Sequence, residues 1–116
     1  MDKLEKDIEE SLGRELKELG CLYLKFQSPG NAGVPDRIVI VPGGQVLFVE
    51  LKKAGGQLGP LQQRWRVRIS KMGGYHYVVD SEEKVMELAR RIANMIPKQY
   101  KEQYWLDKAF EKYGAF

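Results

Sequence analysis

The sequence contains one cysteine and one histidine, Cys21 and His76, among its 116 residues. A single cysteine excludes an internal disulfide and any zinc site built from several thiolates, so we expect a buried thiol in a reducing compartment. A single histidine excludes a metal centre made of several imidazoles. We expect His76, which lies between two tyrosines on a strand, to be structural.

Long apolar runs and a secretory leader are also missing. No segment approaches the ~20 apolar residues needed to span a bilayer. Charged residues begin at the second position of the N-terminus, which is unlike a signal peptide. The sequence therefore predicts a cytoplasmic protein without a membrane partner. Its length suits one compact domain that buries roughly two thirds of its unfolded surface.

Acidic residues are absent from positions 51–79, although the first twenty residues carry seven acids against four bases. The formal net charge of +3 is therefore unevenly distributed. A basic segment favours a polyanionic partner, although a solvated helix face is the commoner explanation of a charge run alone. The candidate nucleic-acid contacts in this segment are Lys53, Arg64, Arg66 and Arg68.

Apolar periodicity and turn residues predict an α/β domain with a mixed four-stranded sheet flanked by helices. The element order is αβββαβ followed by C-terminal helices, and a parallel crossover joins the third strand to the fourth. The predicted helices cover 2–19, 60–72, 81–96 and 98–113, and strands at 21–27 and 75–80 flank a hairpin at 36–53. In the second helix, we expect one apolar stripe, formed by Leu61, Trp65, Ile69 and Met72.

The hairpin brings together the residues that are the best candidates for a catalytic site. Because Pro42-Gly43-Gly44 fills a three-residue connection, Val41 is predicted to pair with Gln45. Asp36 then faces Glu50, fourteen positions later, on one side of the sheet. Lys52 shares that side because side chains alternate along a strand. A two-residue loop would instead place Asp36 on the opposite side, so the prediction depends on the longer loop or on a bulge near Pro35.

Glu50 follows five residues of an interior strand, where an unpaired carboxylate is costly to bury. A divalent cation would neutralise it, and Mg²⁺ binds carboxylate oxygens, backbone carbonyls and water. The Leu51 carbonyl is within reach of the same ion. Lys52 could orient or deprotonate a water, or stabilise charge on a phosphate. A structural ion pair is the alternative interpretation.

Three motifs, GVPD at 33–36, VELK at 49–52 and LGPLQ at 58–62, resemble those of the VRR-NUC branch of the PD-(D/E)xK nucleases. The resemblance covers residues 5 to about 80. It implies a restriction-endonuclease-like core and Mg²⁺- or Mn²⁺-dependent cleavage of DNA. Small stand-alone members, which occur in phages and bacteria, are homodimers similar to Holliday-junction resolvases.

The resemblance also implies roles for individual residues. Metal would be held by Glu5, Asp36, Glu50 and the Leu51 carbonyl, and the catalytic set would be Asp36, Glu50, Lys52 and Gln62. Gly59 departs from the family pattern, since members commonly have serine there, and this weakens the cap of the following helix.

The position of Glu5 can also be examined by helix geometry. A helical wheel puts it near the centre of the apolar arc of the first helix, where a carboxylate needs a partner. Glu9, one turn further, is the runner-up. Both could instead be surface acids that suit the helix dipole.

The domain is predicted to cover residues 1–96, with a helical extension at 97–116 that belongs to the same compact unit or to a dimer interface. The extension is rich in aromatic residues, which are Tyr100, Tyr104, Trp105, Phe110, Tyr113 and Phe116. A subunit interface is our preferred role for them. Packing on the core and stacking on nucleic acid are the alternatives.

Together these features predict a cytoplasmic DNA endonuclease of a bacterial cell or a phage-infected host. We expect selectivity for branched or four-way-junction DNA, a homodimer, and no small-molecule cofactor. The alternatives are a DNA-binding module of the same fold without catalysis, and a nuclease of the same core that acts on another nucleic acid.

Overall fold

The computed structural model of the chain describes residues 4–101. The elements follow the predicted order, and they are α1 (Glu5–Glu18), β1 (Leu22–Lys25), β2 (Arg37–Ile40), β3 (Val46–Leu51), α2 (Pro60–Lys71), β4 (Tyr75–Val79) and α3 (Glu82–Met95). The predicted α/β class is confirmed. The predicted elements are also present, although β1 is shorter than the segment 21–27.

The four strands form one mixed sheet in the order β1-β2-β3-β4. Antiparallel pairing joins β1 to β2 and β2 to β3, and parallel pairing joins β3 to β4. The crossover through α2 is the connection that makes the last pairing parallel, as predicted. Within residues 4–101, β4 therefore has a neighbour on only one side.

One face of the sheet carries the hydrophobic core. Helix α1 packs against α3, and the apolar side chains at every fourth position of α1, Ile8, Leu12 and Leu16, are fully buried. They meet alternate residues of the central strands, among them Leu47 and Val49. Burial of each large aliphatic side chain contributes about 1.5–3 kcal/mol. The other face carries Glu50 together with half-buried Ile38 and Phe48, and the Phe48 ring contacts the Phe26 ring.

The apolar stripe of helix α2 is more exposed than a stripe that packs on a core. No residue of 60–71, all of which the structure describes, is buried. Trp65 and Ile69 are half-buried, whereas Leu61 is 50% exposed and Met72, just beyond the helix, is 85% exposed. Among the strands α2 packs chiefly on β4, at the edge of the sheet, so its stripe contacts a strand edge and not a full layer.

Two further expectations concern the first strand and the tail. Cys21 is buried, as predicted, and burial raises the pKa of its thiol to about 11. Positions 98–101 are helical. The rest of the predicted last helix, with most of its aromatic residues, lies outside the described residues. None of the helices in the described part of the chain is long and apolar enough to cross a membrane.

Candidate active site

The hairpin register places Asp36 opposite Glu50. Arg37 pairs with Val49, and the Val41 N–H donates to the Gln45 carbonyl over 2.8 Å. Both turn glycines have positive φ angles, 106° at residue 43 and 99° at residue 44, which residues with a side chain rarely adopt. The three-residue connection is thus confirmed.

Asp36 is fixed by the strand opposite it. Its Oδ2 accepts a hydrogen bond of 2.8 Å from the Leu51 N–H. In an extended strand the N–H and C=O of one residue point to the same side, so the Leu51 carbonyl is directed towards β2 as well. An aspartate oxygen and a backbone carbonyl therefore flank the same end of the hairpin.

Glu50 is a buried carboxylate with only one of its two oxygens hydrogen-bonded within residues 4–101. It is 2% exposed, and among the described residues no group hydrogen-bonds its Oε2. Burial, followed by the hydrogen-bonding proximity and charge of Asp36, raises the pKa of Glu50 to about 8, against a smaller opposing effect of Lys52. A proton shared with Asp36 would satisfy that oxygen, and with both carboxylates ionised a cation would do so.

Gln62 connects α2 to this carboxylate. Its Nε2 donates to Glu50 Oε1 over 3.0 Å, and its Oε1 accepts from the Gly59 N–H over 2.9 Å. The second bond ties the side chain to the start of its own helix, which is the half of a capping box that a glycine cap permits. Gln62, chosen from the resemblance alone, therefore contacts Glu50 directly.

The start of α2 is held against the loop that precedes β2. Trp65 Nε1 donates to the Ala32 carbonyl over 3.0 Å. Next to it, Gly33 has a φ of +90°, and a Cβ there would lie 2.6 Å from Leu61 Cβ and 2.8 Å from its carbonyl carbon. Loop and helix are in contact through a position that only glycine fits. This contact sets where Gln62 meets Glu50.

Replacing Gly33 by alanine is expected to displace the first turn of α2 and to lower the free energy of unfolding by about 1–3 kcal/mol more than Gly30→Ala. Gly30 is the matched control, because it has a similar φ of +82° but no atom within 4 Å of an added Cβ. Urea denaturation of both variants measures the difference. Equal decreases in the free energy of unfolding would show that the close contact with Leu61 does not contribute to the cost of the Gly33 substitution.

Lys52 lies beside the carboxylates at the end of β3. Its backbone N–H donates to the Val79 carbonyl over 3.0 Å, and its side chain is half-buried. The positive charge acts on Glu50, whose pKa it lowers. A Cβ on Gly56 would approach Lys52 Cβ to 3.2 Å, so the loop after β3 packs closely on the lysine.

The structure separates the two acids considered on α1. Glu9 is half-buried, and its Oε1 accepts a 2.8 Å ion-pair hydrogen bond from Arg37, whose guanidinium also lies over the Tyr23 ring. Glu5 is exposed at the first residue of the helix, and its role as a metal ligand stays a prediction. Its charge nevertheless contributes to the raised pKa of Glu50.

The donor set is compatible with a hard divalent cation. Within residues 4–101 no three acidic, histidine or cysteine side chains form a ready metal cluster. Two carboxylates and a main-chain carbonyl are the oxygen ligands that Mg²⁺ accepts, with water or substrate oxygens completing the coordination. The unpaired Glu50 Oε2 is the observation that favours such an ion.

The basic residues of 51–79 do not form one patch. Arg66 lines a cavity beside β4, and Arg68 lies over the Trp65 ring at 4.5 Å, in a different depression. Side chains two positions apart on a helix point in nearly opposite directions. Lys53 and Arg64 are exposed.

Sequence reasoning missed a cation on α3. Arg91 lines the same cavity as Arg66, although twenty-five positions separate them. The available signal was the crossover itself, because the helices before and after β4 flank its open edge. Periodicity alone does not identify which side chain of each helix lies there.

Comparison with known proteins gives two informative similarities. The phage protein "Putative nuclease p44" of Acyrthosiphon pisum secondary endosymbiont phage 1 is 40% identical over 79 residues, which cover 68% of this chain and 85% of that protein. A solved structure of a VRR_NUC domain is 33% identical, has a TM-score of 0.72, and is matched over 74% of this chain and 94% of its own. No protein-family model matches the chain.

Proposed function

Because the chain belongs to the VRR-NUC family of nucleases, we propose that it is a divalent-metal-dependent endonuclease that hydrolyses DNA phosphodiester bonds. The observation that carries this proposal is the pair of half-buried Asp36 and buried Glu50, in which Glu50 Oε2 lacks a partner in the described part of the chain. The restriction-endonuclease-like core predicted from the sequence agrees with the matched fold.

In this proposal, Asp36, Glu50 and the Leu51 carbonyl hold Mg²⁺ or Mn²⁺. The cation supplies Lewis-acid stabilisation of charge on the phosphoryl oxygens and lowers the pKa of coordinated water. Lys52 orients the attacking water and offsets the negative charge that develops on the phosphate. Glu5, which is exposed and within electrostatic range of Glu50, is the proposed additional ligand.

Gln62 acts on the orientation of Glu50. Its bond to Oε1 leaves Oε2 as the oxygen that faces the cation. Because the same amide accepts from the Gly59 N–H, the carboxylate orientation depends on the start of α2. This coupling restricts Glu50 before substrate binds, which is the preorganisation that an electrostatic site requires.

We further propose that the protein works as a homodimer on branched DNA, four-way junctions above all, in the cytoplasm of a bacterial or phage-infected cell. One chain offers one carboxylate pair, and a two-fold dimer would present two to the symmetric strands of a junction. The extension 97–116 is proposed as part of the subunit contact. Within residues 4–101 no separate recognition element is added to the core, which favours recognition of DNA shape over sequence.

The test is a cleavage assay with Mg²⁺ or Mn²⁺ on matched four-way-junction, flap, nicked and linear DNA. We expect the junction to be cut fastest, by paired incisions at symmetric positions, and cleavage to stop when EDTA removes the metal. Denaturing gels locate the incisions on each strand. A single-stranded RNA of the same sequence tests whether DNA is required.

Each outcome has a definite meaning. Equal cutting of all DNA forms would contradict junction selectivity but preserve the nuclease assignment. Cutting of RNA alone would show that the protein is a nuclease of the same core that acts on RNA. DNA binding without cutting of any form would favour the non-catalytic module.

A further inference from the structure

A cavity of about 330 Å³ lies at the open edge of β4, between α2 and α3. We name it the edge cavity, and the lining residues used below are Arg66, His76, Val78, Lys84, Glu87 and Arg91. Three of them are cations and one is an acid, so the lining carries a formal charge of +2 when the imidazole is neutral. Such a lining favours an anionic ligand.

The surroundings of His76 disfavour the charged form of its imidazole. Burial, and then the nearby charge of Arg66, lowers its pKa below the usual value. Its Nδ1 is buried, and no group of the described residues hydrogen-bonds it. Lys84 Nζ lies 3.3 Å from Asp80 Oδ1, so the two arginines are the charges most available to a ligand.

The strand edge adds a main-chain donor. Lys52 N–H donates to the Val79 carbonyl, so residue 79 faces β3. Since alternate residues of a parallel strand face opposite neighbours, Val78 presents its N–H to the open edge and thus to the edge cavity. Main-chain N–H groups and arginines are common contacts to DNA phosphates.

The edge cavity lies close to the carboxylates. Val78 pairs directly with Glu50 across the strands, and neighbouring strands are about 5 Å apart. Arg66 is one helical turn from Gln62, which is about 6 Å along the helix axis. Successive phosphates of a DNA strand advance by about 3.4 Å along the helix axis, so a phosphate near the scissile one lies within reach of the edge cavity.

We propose that the edge cavity binds a second phosphate of the cleaved strand, one or two nucleotides from the scissile phosphate. Arg66 and Arg91 contact its oxygens from the two sides, and the Val78 N–H donates to it from the strand edge. This inference rests on the proposed function and adds α3 to the nucleic-acid interface. It also assigns a phosphate contact to Arg66 and none at this site to Arg64, which does not line the cavity.

Adjacent arginines supply the test. Arg91 lines the edge cavity and Arg90 does not, although both are exposed residues of the same helix. In an Asp36→Asn background that does not cut, the Kd for a fluorescein-labelled four-way junction is measured by anisotropy between about 50 and 200 mM salt. We expect Arg91→Gln to raise the Kd about five- to tenfold and to reduce the salt slope by about 0.9, and Arg90→Gln to change the Kd less than about twofold.

A second arm locates the phosphate. Neutral methylphosphonate replaces single phosphates at each of the three positions on either side of the cut. We expect the substitution at one position to weaken binding of the Asp36→Asn protein but not of the same protein with Arg91→Gln. Once the arginine that contacts this phosphate is removed, neutralising the phosphate has no further effect, because the effects of two groups in contact are not additive. Arg66→Gln should lose the same positional effect, and Arg64→Gln should keep it.

The edge-cavity proposal alone would be overturned if Arg90→Gln and Arg91→Gln raised the Kd equally. It would also be overturned if methylphosphonate weakened binding equally, at every position, with and without Arg91→Gln. Failure of the unaltered protein to bind and cut any nucleic acid would instead remove the proposed function, and this inference with it. Circular dichroism and urea denaturation of each variant exclude a folding defect.

Discussion

Asparagine in place of Asp36 is expected to lower the rate of DNA cleavage by about a thousandfold or more and to leave folding and DNA binding nearly intact. The amide oxygen of asparagine can still accept from the Leu51 N–H, as Asp36 Oδ2 does at 2.8 Å. The negative charge that balances a divalent cation is lost. Single-turnover cleavage with saturating enzyme measures the chemical step directly.

Glu83→Gln is the matched control for this loss. Glu83 is an exposed acid in the first turn of α3, and its removal changes the net charge by the same amount as the Asp36 substitution. Its cleavage rate should stay within about twofold of the unaltered protein. If Asp36→Asn cut DNA at the unaltered rate, the carboxylate pair would not be the catalytic centre.

The free energy of unfolding is expected to fall as pH rises from about 5 to 9, by up to about 5 kcal/mol from Glu50 alone. The pKa of Glu50 is about 8 in the folded chain and ordinarily 4.5. The folded state therefore binds the proton more tightly than the unfolded state does. The resulting stabilisation is complete below the unfolded pKa and is lost as pH rises through the folded one.

Urea denaturation at several pH values measures this dependence, and Glu50→Gln isolates it. The glutamine variant should be nearly insensitive to pH over the same range, more stable than the unaltered protein at pH 9, and inactive. Added Mg²⁺ should restore stability at pH 9 in the unaltered protein only, since binding to the folded state stabilises it. If the unaltered protein and Glu50→Gln had parallel pH profiles, the two carboxylates would not be coupled as the structure implies.

The hairpin could be predicted from the sequence because its determinants are local. The β-branched residues define two strands, and Gly43-Gly44 supplies the positive φ angles of the turn between them, although a two-residue loop was also compatible with that pair. Side-chain alternation then leaves one arrangement in which Asp36 and Glu50 share a face. The register follows from about sixteen consecutive residues and needs no knowledge of the rest of the fold.

The surroundings of the hairpin could not be predicted in the same way. A helical wheel gives the angle between side chains of one helix but not the rotation of that helix against its neighbours. For this reason the wheel could not show that Glu5 is exposed or that Glu9 forms an ion pair with Arg37. The meeting of Arg66 with Arg91 likewise depends on the tertiary placement of two helices around β4.

Gln62 was the one distant member of the site that sequence did suggest, and only through resemblance. A glutamine one position beyond an apolar stripe is commonly a surface residue. Its contact with Glu50 requires both the crossover and the contact between Gly33 and Leu61. The crossover was predicted from the order of the elements, but the contact between Gly33 and Leu61 is not visible as a local pattern.

The two hydrogen bonds of the Gln62 amide have a consequence for protein engineering. Because one side chain serves both the helix start and the carboxylate, a substitution in 57–61 that alters the backbone at Gly59 also reorients Glu50. Turnover could therefore be adjusted by changing this short connection while every proposed ligand is kept. The segment is a natural target for directed evolution of slower, more discriminating variants.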